Sequence, residues 1–77
     1  MGIPEYERVI NEVRQRIMSG QWRPGQRIPK IRELAKEFAT GQTTVKTALM
    51  FLRAEGLIRG QQGKAIYVAD PLPAHRP

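Results

Sequence analysis

Seventy-seven residues suffice for one small domain, and that length argues against a large enzyme with a deep cleft. The chain is 40% hydrophobic and 26% charged and has no cysteine, so no disulfide framework or thiolate metal site can support it. No apolar run approaches the roughly 18 residues of a membrane span, and the start MGIPEYERVI lacks a signal peptide's apolar stretch, which together fit a reducing cytoplasm.

The formal net charge of +6 is unevenly placed. Glu5, Glu7 and Glu12 balance Arg8, Arg14 and Arg16, so the first twenty residues are neutral; the whole excess lies beyond them, where only Glu33, Glu37, Glu55 and Asp70 oppose the remaining cations. A basic part beside a neutral part points to a polyanion as partner.

Taken in chain order, Tyr6, Val9, Ile10, Val13 and Ile17 recur at helical spacing with charged residues between them, which predicts an amphipathic first helix. Pro4 suits its first turn and Gly20 the left-handed position just past its end. RPGQR predicts a type II turn, with Pro24 presetting φ and Gly25 taking a positive φ, and Trp22 is expected to pack on the first helix. Ile28 and Pro29 make a brief extended bridge. A second helix comes next, with Ile31, Leu34, Ala35 and Phe38 inward, and ATG at 39–41 interrupts it.

The third helix buries Val45, Ala48, Leu49 and Leu52 and stops at Gly56. LIRG and KAIYV, joined by the polar GQQG, then read as a β-hairpin. The three prolines of DPLPAHRP mark residues 70–77 as a tail or linker, leaving 1–69 as the folded domain. The fold class is therefore α+β, mainly α: three helices followed by a hairpin, the layout of a winged helix-turn-helix.

At about 100° per residue, the outward side of the third helix carries Thr43, Lys46, Thr47 and Met50, flanked by Gln42 and Arg53, with Thr44 and Phe51 on the other flank. Small hydroxyls, amides and cations suit phosphates and base edges, and no acidic residue intrudes before Glu55. The helix opens on GQTTVKTAL. Short side chains at this positive dipole end let a phosphate oxygen approach the free N–H groups. Capping is the plainer explanation of Thr40, Thr43 and Thr44, but three threonines exceed what one helix start can use.

IPKIRELAKEFATGQTTVKTALMFLRAEGLIRGQQGKAIYV, residues 28–68, resembles the DNA-binding domain of GntR-type bacterial transcriptional regulators. The likeness lies in its proline, Arg-Glu-Leu-Ala, Thr-Thr-Val, Ala-Leu, Leu-x-x-Glu-Gly-Leu and wing-glycine order, and GQWRPGQRIP at 20–29 matches as well. The resemblance implies sequence-specific binding of double-stranded operator DNA, with repression as the commoner outcome. The third helix would lie in the major groove and the wing, residues 60–64, at the minor groove. It implies that Arg32 clamps a phosphate, that Thr43 and Thr44 touch backbone and a base, that Lys46 stands for the usual arginine, and that Gln62 and Gly63 form the wing tip with Lys64 beside them. With Gly41, Gln42 and Thr47 from the helix face, these ten residues are the expected DNA-binding set. Such regulators usually dimerise on palindromic sites through a C-terminal effector domain, here beyond residue 77 unless the chain is an unusually small whole protein.

The departures are informative. Lys30 replaces a small capping residue, at a cost of about 0.5 to 2 kcal/mol. Ala39 stands where the turn commonly has glycine, and a positive φ there costs roughly 1 kcal/mol. Gly41 replaces a cap-forming Ser or Thr, and Gln42 stands where arginine is common.

No catalysis, metal or cofactor is expected: the single histidine, His75, lies in the tail, and Glu33 and Glu37 read as a solvated face paired with Arg32 and Lys36. The rival function is a winged helix used for protein contact, recognisable by binding that ignores salt. RNA would need a stacking platform, which the few aromatics, mostly in core stripes, do not supply.

Overall fold

The computed structural model describes Gly2, residues 4–60 and residues 64–73. Three helices, α1 (Glu5–Met18), α2 (Ile31–Glu37) and α3 (Gln42–Ala54), precede two antiparallel strands, β1 (Ile58–Gly60) and β2 (Ile66–Val68). The expected order is thus observed, with the second wing strand shorter than KAIYV.

α1 buries Val9, Ile10, Val13 and Ile17 mainly against α3, and α2 buries Leu34 and Ala35 against it too. From the other side Val45, Ala48, Leu49 and Leu52 complete the core, which the wing closes with Ile58, Ile66 and Val68. Leu52 is fully enclosed. Its truncation to alanine would cost about 2–5 kcal/mol, a large share of what so small a domain possesses.

The turn at 23–26 has the expected form: Gly25 adopts φ +83° and the Gln26 N–H donates to the Arg23 carbonyl at 2.9 Å. The segment after it is more than a passive bridge. The Val68 N–H donates to the Gln26 carbonyl at 2.8 Å and the Ile28 N–H to the Ile66 carbonyl at 2.9 Å, so residues 26–28 lie along the free edge of β2. β2 is therefore paired on both sides, which fixes the root of the wing against the body and leaves this strand no open edge.

Helix ends obey backbone chemistry. Gly20 and Gly56 take positive φ past α1 and α3. Ala39 does the same past α2, at φ +54°. There the Thr40 N–H donates to the Ala35 carbonyl and the Ala39 N–H to the Lys36 carbonyl, the paired bonds of a Schellman motif. Lys30 provides no side-chain cap; instead the Glu33 carboxylate accepts from the Lys30 N–H at 3.0 Å, recovering one of the orphan donors at that end.

Trp22 is buried and packs on α1 as expected, through a specific contact: the Arg16 guanidinium lies 5.3 Å from its ring centre and 5.1 Å from that of Phe38. Arg16 also pairs with Glu12 at 3.3 Å and with Glu37. Glu37, then Glu12, drive its pKa further up against the opposing effect of burial. Glu37 is thus tied across to α1, which corrects the expectation of a local salt-bridged face with Arg32 and Lys36. Arg8 likewise reaches the Phe38 carbonyl at 2.9 Å and Glu5 at 3.1 Å, pinning α1 to the turn after α2. That guanidinium, helped by the Thr40 hydroxyl, holds the Glu5 carboxyl below the ordinary carboxylate range.

Of the expected tail, Leu72 packs against the core and Pro73 lies beside Gly56, so the chain is laid along the body this far. Residues 74–77, with His75, lie outside the described residues.

Candidate nucleic-acid interface

The outward side of α3 is as the helical period requires. Gly41, Gln42, Thr43 and Lys46 are exposed and Thr44 and Thr47 half-buried, while Val45, Ala48, Leu49 and Leu52 anchor the opposite side. Met50 is 63% exposed and forms the one large apolar point on that face among the described residues. Phe51, on the flank, stacks on Tyr6 of α1 with ring centres 5.6 Å apart, which fixes the rotation of α3 about its axis.

No side chain caps the start of α3; its N-cap is Gly41, in extended conformation. Thr43 and Thr44 are therefore not spent on capping, and neither hydroxyl has a hydrogen-bond partner among the described residues. Thr47 instead donates to the Thr43 carbonyl at 3.1 Å, a back-bond to the preceding turn. The result is a helix terminus with unpaired N–H groups, small side chains and no first-turn acid, a surface that accepts an anion closely.

Beside this terminus a concavity runs from the start of α2 to the base of the wing, and Arg32, Gln42 and Lys64 line it together. Arg32 and Lys64 are far apart in the chain, yet the pairing of residues 26–28 with β2 brings them to one rim. A second groove, between α3 and β2, is lined by Thr43, Lys46, Thr47 and Arg53 over a floor that includes Ile31, Leu49 and Ile66. Six of the ten expected residues thus line these two neighbouring grooves, while Gly41 and Thr44 lie at the start of α3 outside both. The other two, Gln62 and Gly63 at the wing tip, lie outside the described residues.

Charge is sorted by pairing. Glu5, Glu12, Glu37 and Glu55 are taken by Arg8, Arg16 and Arg14, all on α1. Among the described residues no carboxylate lies within ion-pairing reach of Arg32, Lys46, Arg53 or Lys64. Glu37 of α2 and Glu55 at the end of α3 are drawn to the side where α1 lies, while Glu33 remains on the concavity among the cations Arg27, Lys30, Arg32 and Lys64.

Two cations of this face escape sequence reasoning. Arg27 and Lys30 line the concavity with Arg32. In the sequence Lys30 stands out only as a lost cap, and Arg27 only as part of a turn; the alternation of exposed Arg27 with buried Ile28 is the available signal, but its partner strand lies some forty residues on.

Among the described residues no group of three or more His, Cys, Asp or Glu could bind a metal ion, and no helix is long and apolar enough to cross a membrane. The model of the gntR family of bacterial regulatory proteins matches residues 5–68. The chain is 41% identical over 68 residues to the histidine utilization repressor of Klebsiella aerogenes, covering 88% of this chain and 28% of that protein. It is also 41% identical over 68 residues to the HTH-type transcriptional regulator YdfD of Bacillus subtilis, covering 88% of this chain and 14% of the other. A crystal structure of the AraR DNA-binding domain in complex with operator ORR3 superposes with a TM-score of 0.84 at 32% identity, covering 90% of this chain and 83% of that one. The chain spans well under a third of these two curated relatives.

Proposed function

Since the chain belongs to the GntR family of bacterial regulatory proteins, we propose that it binds double-stranded operator DNA in a sequence-specific manner as the DNA-reading part of a transcriptional repressor. The observation that carries this reading is the uncapped, acid-free start of α3, set in one rim with Arg32 and Lys64. α3 enters the major groove. Thr43 and Thr44 take phosphate and a base edge, Lys46 and Arg32 take phosphates on either side, and Lys64 with the wing tip at Gln62 and Gly63 addresses the minor groove. Support comes from the match to an operator-bound AraR domain and from relatives named as repressors.

The relatives are transcription regulators, and the chain acts by binding and without catalysis, in the cytoplasm. One copy spans a half-site only, so two copies on a palindrome bind more tightly than one. The folded domain reaches past residue 69 to Leu72 and Pro73, which lie against its body.

Selection of duplexes from a random pool, followed by titration of the recovered sequence against a scrambled one, tests the reading. Enrichment of a common half-site and a preference of at least about 10³ over the scrambled duplex are expected. Equal affinity for all sequences, or no duplex binding at low salt alongside salt-insensitive capture of a protein, overturns it.

A further inference from the structure

The expected DNA-binding residues leave one cationic patch unused. β1 and β2 pair with Arg59 opposite Tyr67, and on the other edge of β2 the bridge sets Arg27 opposite the same Tyr67. Residues opposed across an antiparallel ladder share a face. Ile28, Ile58, Ile66 and Val68, their neighbours in sequence, point into the core. Arg27, Tyr67 and Arg59 therefore form a row across three adjacent extended segments on the outer side of the wing sheet. All three are exposed, Tyr67 to 43%. With neighbouring strands about 4.8 Å apart, the two arginine stems leave the sheet roughly 10 Å from each other.

We propose that this row is a second phosphate-binding surface, which grips the sugar-phosphate backbone of the duplex outside the segment read by α3. It rests on the DNA-binding reading above and extends its footprint. Three observations favour that occupant. Among the described residues no carboxylate is within ion-pairing reach of Arg27 or Arg59, so the row is charge left uncompensated by the fold. Guanidinium forks match phosphate oxygens in bidentate fashion, and a tyrosine hydroxyl between them adds a donor of the kind used on DNA backbones. Finally, Arg27 lines the concavity that also contains Arg32, Gln42 and Lys64, so the row continues the candidate interface around the root of the wing. A strand of DNA leaving that concavity meets Arg27 first, then Tyr67, then Arg59.

The test compares salt dependence on two lengths of one duplex, the selected core alone and the core extended by half a helical turn on each side. Fluorescence anisotropy gives log K against log salt for the 77-residue chain and for the Arg27→Ala, Arg59→Ala double variant. On the extended duplex the slope of the variant should be shallower by about 2, the loss of two phosphate contacts, and on the core alone by no more than about 1, because Arg27 also borders the concavity and Arg59 does not. Arg27→Lys with Arg59→Lys, which keeps both charges, should restore the slope. Melting curves check that the variants fold; if the alanine pair does not, Arg27→Gln with Arg59→Gln preserves the stems and takes its place. Equal slopes on the extended duplex overturn the proposal, as does a loss of the same size on both lengths. Binding of neither duplex by the unaltered chain at about 50 mM salt would instead overturn the DNA reading itself.

Discussion

At Ala39 a β-carbon occupies a left-handed turn: φ is +54°, a conformation that costs an L-residue roughly 1–2 kcal/mol. The Schellman bonds and the Arg8 contact to the preceding carbonyl over-determine this turn, which is why the strain persists. Ala39→Gly should relieve it. Since glycine also loses more entropy on folding, by about 0.5–1 kcal/mol, the net gain should be up to about 1 kcal/mol, a rise in Tm of about 4–8 °C in a domain of this size. A calorimetric scan checks this, and an unchanged or lower Tm contradicts it. Gln42 raises a question of specificity. It is the first residue of α3, exposed, and lines the concavity. A glutamine amide pairs in bidentate fashion with adenine and an arginine with guanine, each pair giving about 1–3 kcal/mol of discrimination. Site selection should therefore recover adenine, or a weakly specified base, opposite Gln42, and Gln42→Arg should move the preference to guanine. Guanine enrichment that survives Gln42→Ala would show that this side chain reads nothing.

Among the elements, the wing depends most on a single residue. Gly60 ends β1 at φ +134°, and a β-carbon there would lie 2.5 Å from the Ala65 carbonyl oxygen and 2.8 Å from the Ile66 α-carbon. Both obstacles are backbone and cannot yield. Gly60→Ala should destabilise the chain by about 1–3 kcal/mol and weaken DNA binding by displacing Lys64, with α3 unchanged; amide exchange confined to β1 and β2 would report it. The three helices are legible in the sequence because each repeats apolar residues at the helical period and ends on a recognisable stop. The same is true of the α3 face, since helical geometry alone assigns Thr43, Lys46 and Thr47 outward once Val45 and Leu52 are inward. The pairing of residues 26–28 with β2 is not legible. Three residues carry too little periodicity to declare a strand, and their partner is distant in sequence. Arg27 and the Arg16 clamp on Trp22, Phe38 and Glu37 are hidden for the same reason, as their meaning depends on contacts between segments far apart in the chain.

For the molecule as a whole, the decisive property is how ion pairs distribute the net charge of +6. The first twenty residues balance to zero in the sequence, but α1 does more than neutralise its own acids: Arg16 takes Glu37 from α2 and Arg14 takes Glu55 from the end of α3. Both pairs are partly exposed, and such pairs contribute at most about 1 kcal/mol each. Their larger consequence is for the field, because two carboxylates that could have faced a phosphate are turned to the side where α1 lies. This separates the cations into two classes with different expected effects on binding. Lys46→Ala and Arg32→Ala should each lower the slope of log K against log salt by about 1, as single phosphate contacts do. Arg14→Ala removes the same formal charge but should leave that slope unaltered within error, since Arg14 releases no DNA counterion. If all three variants lower the slope alike, binding responds to net charge alone, and the sorting of charge between front and back has no role in recognition.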